Sequence, residues 1–171
     1  MCCLGQFDLS QQRDALRRPQ QLADDSLAEA EVPQEVAERV VADCQDVLPA
    51  DAVISLDSGV HHNWYMQFWK ARQPQTMLNT WGFSGMGFGA AGILGAKLAA
   101  PDRPCVSICG DGGFMMNAQE LETAHRLGLN IVMMVLNDNG LGMIRMKQEL
   151  DGNAPLAVDF GKTLVKQSLG R

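Results

Sequence analysis

Clustered basic charge is missing from these 171 residues: Lys and Arg are scattered and the formal net charge is −6. That excludes a nucleic-acid-binding surface built from gathered cations. The five cysteines, Cys2, Cys3, Cys44, Cys105 and Cys109, have no zinc-type spacing and are odd in number, so neither a structural zinc nor a disulfide framework is indicated. Behind Met1-Cys2-Cys3 there is no basic n-region and no apolar h-region, so no secretory signal is expected. The one long apolar stretch, Gly82 to Ala100, carries six glycines and Lys97, which suits a buried helix entry and not a membrane span. No Gly-x-Gly-x-x-Gly loop follows the first expected strand, which ends in Asp57-Ser58-Gly59, and this disfavours a flavodoxin-like or Rossmann-like nucleotide binder. A soluble chain in a reducing, cytoplasmic setting is the default expectation.

What is present is ordinary globular composition, 46% hydrophobic and 20% charged, in a length sufficient for one domain with a real core. Residues 1 to 32 are polar and mixed in charge, with pieces such as QQLADDSLAEAE. Such a composition buries little surface, so this part is expected to be a linker or the remnant of a preceding domain. Residues 33 to 171 are expected to form the domain. Pro33 suits a first helical turn, and Val36, Val40, Val41 and Cys44 recur at helical spacing until Pro49. Strands are expected at 52–56, 76–79, 105–109 and 131–136, because these runs are short, continuously apolar and bounded by turn residues. Helix-period segments lie between them. The fold class is therefore α/β, a three-layer doubly wound parallel sheet.

The stretch from Cys109 to Met143 organises the rest. Gly110-Asp111-Gly112-Gly113 closes one apolar strand and Asn137-Asp138-Asn139-Gly140 closes the next, with one crossover helix expected from about Phe114. Adjacent parallel strands lie roughly 5 Å apart, and ligands bind beyond their carboxyl ends. Asp111 and Asp138 can thus meet at one point. Two carboxylates suit a hard cation such as magnesium, which commonly shares its site with substrate phosphates. Glycines at 110, 112 and 113 let the backbone approach a phosphate closely. A magnesium-bridged diphosphate is the ligand implied.

Gly110-Asp111-Gly112, 24 intervening residues and the pair Asn137-Asp138 resemble the signature of thiamine-diphosphate-dependent enzymes. The resemblance implies that Asp111, Asp138 and the carbonyl of Gly140 hold Mg2+. Asn is usual where this chain has Asp138, and the added charge should tighten magnesium and repel the diphosphate somewhat. Asp57, Gly59, His61 and Trp64 are similar to the family's Asp-x-Gly-x-His-x-x-Trp element, which implies that His61 contacts the diphosphate. His62 reads as structural. Gly85-Met86-Gly87 resembles an element of acetolactate synthases whose methionine, here Met86, props the bent cofactor, with the carbonyl of Ser84 against the aminopyrimidine. Met143 and Ile144 match positions near the reacting centre. Lys147 departs from the tryptophan that biosynthetic acetolactate synthases use to shape the acceptor pocket.

The resemblance covers about Val32 to Phe160. It implies the thiamine diphosphate-binding part of an acetolactate synthase-like enzyme, a transferase or lyase of branched-chain amino acid biosynthesis acting on a small 2-oxo acid. Such enzymes take their catalytic glutamate from a separate pyrimidine-binding domain and place the cofactor at a subunit interface. No catalytic residue is therefore expected in this chain, which should bind cofactor and remain inactive without a pyrimidine-binding domain or subunit, in a homo- or hetero-oligomer. The aromatic segment Trp64 to Trp69 is a candidate interface. The chain is also expected to stop before the last strands of the sheet, leaving an edge uncovered. Three other readings stand beside this one: a non-catalytic truncated remnant, the cofactor-holding subunit of a split enzyme, or part of a benzoylformate decarboxylase-like or sulfoacetaldehyde acetyltransferase-like enzyme.

Overall fold

A computed structural model of the chain describes residues 3–7 and 34–160. The rest of the expected linker, and the tail from 161, lie outside the described residues. In chain order the elements are β1 (Cys3–Phe7), α1 (Gln34–Val47), β2 (Val53–Leu56), α2 (Val60–Phe68), β3 (Met77–Leu78), α3 (Phe88–Ala99), β4 (Cys105–Gly110), α4 (Asp111–Met116), α5 (Glu120–Arg126), β5 (Val132–Leu136) and α6 (Gly142–Leu150). The sheet order is β1-β5-β4-β2-β3, and every pairing is parallel.

Alternate residues of the central strands face opposite layers, which is why the strands read as unbroken apolar runs. Val53, Cys105, Cys109, Met133 and Val135 pack with Ala90, Ile93 and Leu94 of α3, Phe114 of α4 and Ala124 of α5. Ile54, Leu56, Val106, Ile108 and Leu136 pack instead with Val36, Val40 and Val41 of α1 and Tyr65 of α2. The three-layer parallel architecture expected from the sequence is thus observed. Helix α3 lies very close to the sheet: a Cβ on Gly89 would stand 3.0 Å from the Cys109 sulfur and 3.1 Å from the Asp57 nitrogen.

Three expectations are revised. The crossover is two helices, because Asn117 leaves the helical conformation and its side-chain amide donates to the Gly87 carbonyl at 2.9 Å. The free edge of β5 is not bare, since Cys3–Phe7, expected within the linker, pairs along its length. Trp64, Phe68 and Trp69 pack against the α1/α2 side of the core, so the aromatic segment is not a free patch. Among the described residues the exposed aromatics are Trp81, Phe83 and Phe160. Among the described residues no helix is long and apolar enough to cross a membrane.

Candidate functional site

The carboxyl ends of β2, β4 and β5 open into a cavity of about 430 Å³. His61 and Trp64 line it from α2, Met86 from the loop before α3, and Gly110 to Gly113 from the β4–α4 turn. Asp138, Gly140, Met143 and Arg145 close the far side. Register brings the two acidic turns together: Gly110 pairs with Leu136, so Asp111 lies one residue past one strand end and Asp138 two past its neighbour.

Asp111 is 1% exposed, and neither carboxylate oxygen has a hydrogen bond of normal geometry, although the Gly112 N–H and the Asp138 carboxyl lie near enough to act on its ionisation. Burial, followed by the charge of Asp138, pushes its carboxyl up to about 6. The cavity walls also raise Asp138, opposed by the Arg145 guanidinium and by the Gly140 N–H, which reaches its Oδ1 at 3.2 Å. The preceding Asn137 Oδ1 likewise accepts from the Asn139 N–H at 2.9 Å. Two successive side-chain-to-backbone bonds therefore build the Asn-Asp-Asn-Gly turn. A Cβ on Gly142 would strike the Asp138 carboxylate, so glycine lets that acid lie across the start of α6.

Among the described residues no three His, Cys, Asp or Glu side chains gather to hold a metal. A cation between Asp111 and Asp138 would take its other oxygens from main chain, water or a ligand, the donor set of magnesium and not of zinc. The unpartnered Asp111 oxygens fit such an ion, because a buried carboxylate without hydrogen bonds is costly unless something compensates it.

The glycines of the first turn are close-packed. A Cβ on Gly112 would meet Leu141 at 3.0 Å and the Phe160 ring at 3.2 Å, and one on Gly113 would collide with the Asp57 carboxylate. Asp57 is fully buried and lies outside the cavity. Its oxygens accept the N–H groups of Ser58 at 2.8 Å and of Gly87 at 2.9 and 3.0 Å. The first turn of α3 leaves unpaired N–H groups and a positive dipole end, and Asp57 grips it next to Met86. The sequence match covered Asp57 without disclosing this role. An Asp at a strand end, opposite a helix that starts without a capping side chain, is the signal that could have found it.

His61 is buried, its Nε2 without a hydrogen-bond partner. Burial, then the neighbouring His62, lowers its pKa from 6.5 to about 4, so it is neutral at pH 7. Between those values the unfolded chain takes up a proton that the folded chain refuses, so stability is lost as pH falls from 6.5 to 4. The stability of the chain relative to a His61→Gln variant should fall by about 3 kcal/mol over that interval. Urea unfolding midpoints at pH 4, 5, 6 and 7 measure it, and a constant difference between the two proteins would show that His61 titrates alike in the folded and unfolded chains.

Of the residues singled out from sequence, His61, Met86, Gly110, Asp111, Gly112, Gly113, Asp138, Gly140 and Met143 all line this one cavity. Ser84 does not: it is exposed with φ 51°, and its hydroxyl donates to the Thr80 carbonyl at 2.7 Å. Lys147 is exposed beside Asp151, with 3.9 Å between the charged atoms. Arg145 was not anticipated, and it is the one Lys or Arg lining the cavity among the described residues.

Residues 57–167 match the family described as thiamine pyrophosphate enzyme, C-terminal TPP binding domain. Curated relatives include a probable acetolactate synthase large subunit from Methanococcus aeolicus, 34% identical over 131 residues, which are 75% of this chain and 22% of that protein. Acetolactate synthase isozyme 2 large subunit from Escherichia coli K12 is 40% identical over 61% of this chain and 19% of its own length. A putative thiamine pyrophosphate-containing protein, YdaP, from Bacillus subtilis is 37% identical over 68% and 20%. The chain spans about a fifth of the length of these relatives.

Proposed function

The chain belongs to the thiamine pyrophosphate enzyme family through its C-terminal TPP-binding domain, and from that premise we propose that the cavity binds thiamine diphosphate through a magnesium ion. Asp111, Asp138 and the Gly140 carbonyl hold the ion. The main chain of Gly110, Gly112 and Gly113, with neutral His61, receives the diphosphate. Met86 supports the bend between the cofactor rings, Met143 lines the same cavity, and Ser84, which precedes Met86 in the chain and lies outside that lining, contributes through its main-chain carbonyl. The observation that carries this reading is the buried, unpartnered Asp111 carboxylate beside Asp138.

Thiamine diphosphate, when bound, supplies the carbanion-stabilising chemistry that decarboxylation and carboligation of a 2-oxo acid require. This chain's residues bind and orient. Asp111 and Asp138 are committed to the ion, His61 is buried neutral, and the proposed ligand set leaves no acid placed to activate the cofactor. General acid–base work needs a group within about 3 Å of its proton. The chain is therefore the cofactor-binding part of an acetolactate synthase-like enzyme, with the activating glutamate supplied by a pyrimidine-binding domain of the same or another subunit. Residues 33–171 are the unit that performs the binding. Exposed Lys147, lying outside the cavity, favours a second reading in which the acceptor differs from that of the biosynthetic synthases, as in a benzoylformate decarboxylase-like or sulfoacetaldehyde acetyltransferase-like enzyme.

Calorimetric titration of the full chain with thiamine diphosphate tests the reading. Binding should be seen with magnesium and should vanish when the metal is chelated, while the chain alone turns over no pyruvate. Equal binding with and without metal would refute the cation bridge.

A further inference from the structure

The turn that carries Asp138 and Gly140 is not held by β5 and α6 alone. After α6 the chain returns and crosses it. The Leu141 N–H donates to the Val158 carbonyl at 2.8 Å, and the Phe160 N–H donates to the Asn139 carbonyl at 2.8 Å. Gly140 and Asp159 form an antiparallel bridge. Above it the Arg145 guanidinium pairs with the Asp159 carboxylate. A Cβ on Gly140 would stand 2.5 Å from the Val158 oxygen and 2.6 Å from Arg145 Nη2, so the turn is closed in from two sides. Phe160 also reaches the other acidic turn, its ring lying where a Cβ on Gly112 would meet it. Farther out, the Gln148 side-chain amide exchanges two hydrogen bonds with the Leu156 main chain, at 2.9 and 3.3 Å, which closes the excursion at a second point.

We infer that the strap of residues 158–160, locked by the Arg145–Asp159 ion pair, is a positioning device that sets the spacing of the two acidic turns and so the size of the cation they select. The inference rests on the proposed cation site. Asp159 is an exposed positioning residue that acts through Arg145 and the backbone of Gly140, and it does not line the cavity. Magnesium requires ligands at about 2.1 Å in near-ideal octahedral order, whereas calcium accepts 2.3–2.6 Å and flexible geometry. A rigid turn discriminates between the two ions; a loosened one does so less. Groups that orient metal ligands from outside the coordination sphere typically change affinity by about 10- to 100-fold when removed.

The test is titration of the full chain with Mg2+, and separately with Ca2+, at a fixed saturating concentration of thiamine diphosphate. Asp159→Asn should raise the apparent Kd for Mg2+ about tenfold and change that for Ca2+ less than about twofold. Its thermal midpoint should hardly move, since an exposed ion pair contributes little to stability. Arg145→Gln should abolish the effect, so that the double variant is no weaker for Mg2+ than Arg145→Gln alone. Equal losses for both ions, or an Asp159→Asn variant indistinguishable from the parent, would overturn the positioning role. A parent chain that needs neither ion would overturn the cation site itself, so the two failures are distinct.

Discussion

Replacing Asp111 with alanine is expected to reverse the order of two melting points. Without ligands the parent carries a buried carboxylate whose oxygens have no hydrogen bond of normal geometry, and whose ionisation is opposed by burial and by Asp138. Leaving such a group unsatisfied costs about 1–3 kcal/mol, more when it is charged. At pH 8 both the folded and the unfolded parent have this carboxyl ionised, so the cost falls on the folded state in full. Asp111→Ala removes the cost and leaves only a small void, so the ligand-free variant should melt higher by roughly 2–12 °C, at about 2–4 °C per kcal/mol for a chain of this size. With magnesium and thiamine diphosphate at 100 times the dissociation constant, the parent gains about 2.7 kcal/mol. The variant should gain nothing, and magnesium-dependent binding should disappear from its calorimetric trace. Thermal scans with and without ligand read both halves. A variant that melts lower in both conditions would make Asp111 a structural residue, and one that keeps its magnesium-dependent affinity would remove it from the cation site.

The second large effect belongs to Asp57, outside the cavity. Its carboxylate accepts main-chain N–H groups of Ser58 and Gly87, and Gly113 packs directly on it. Burial raises its carboxyl, with the N–H groups of Ser58, Gly87, Gly89 and Phe88 opposing that rise. In Asp57→Ala those donors lose their acceptor in a dry environment, and a loss of about 2–4 kcal/mol is expected, since each unsatisfied buried donor costs about 1–3 kcal/mol. At about 2–4 °C per kcal/mol the midpoint should drop by roughly 10 °C. Asp57→Asn keeps one acceptor oxygen and should lose about half as much. Met86 precedes the gripped turn, so cofactor affinity should fall as well. If Asp57→Ala melts with the parent, the α3 start is held by something other than this carboxylate.

The local part of this architecture was legible in the sequence. Unbroken apolar runs ending in Gly-Asp-Gly and Asn-Asp-Asn-Gly announce strands covered on both faces, and adjacency of parallel strands places Asp111 near Asp138 without any further information. The αL position of Gly128, φ 64°, and the Glu122–Arg126 pair at 3.4 Å follow from helical spacing. What stayed hidden depends on partners distant in sequence. The break at Asn117 arises because its amide finds Gly87, 30 positions earlier. The grip of Asp57 on α3 spans the same separation. The Arg145–Asp159 pair joins a helix to a returning strand-like segment, and neither residue has periodicity to mark it. Cys3–Phe7 carries no strong strand pattern, and its place in the sheet comes from the open backbone edge of β5.

The register of β4 against β5, Gly110 opposite Leu136, has a consequence for how this chain can change. Side chains alternate between the two layers, so inserting one residue within Cys105–Gly110 would exchange the inward sets of both faces and turn Asp111 away from Asp138. Mutational drift should therefore accumulate as insertions in the loops and as substitutions alone in the strands, since the count of residues in two short strands fixes where the two charges stand.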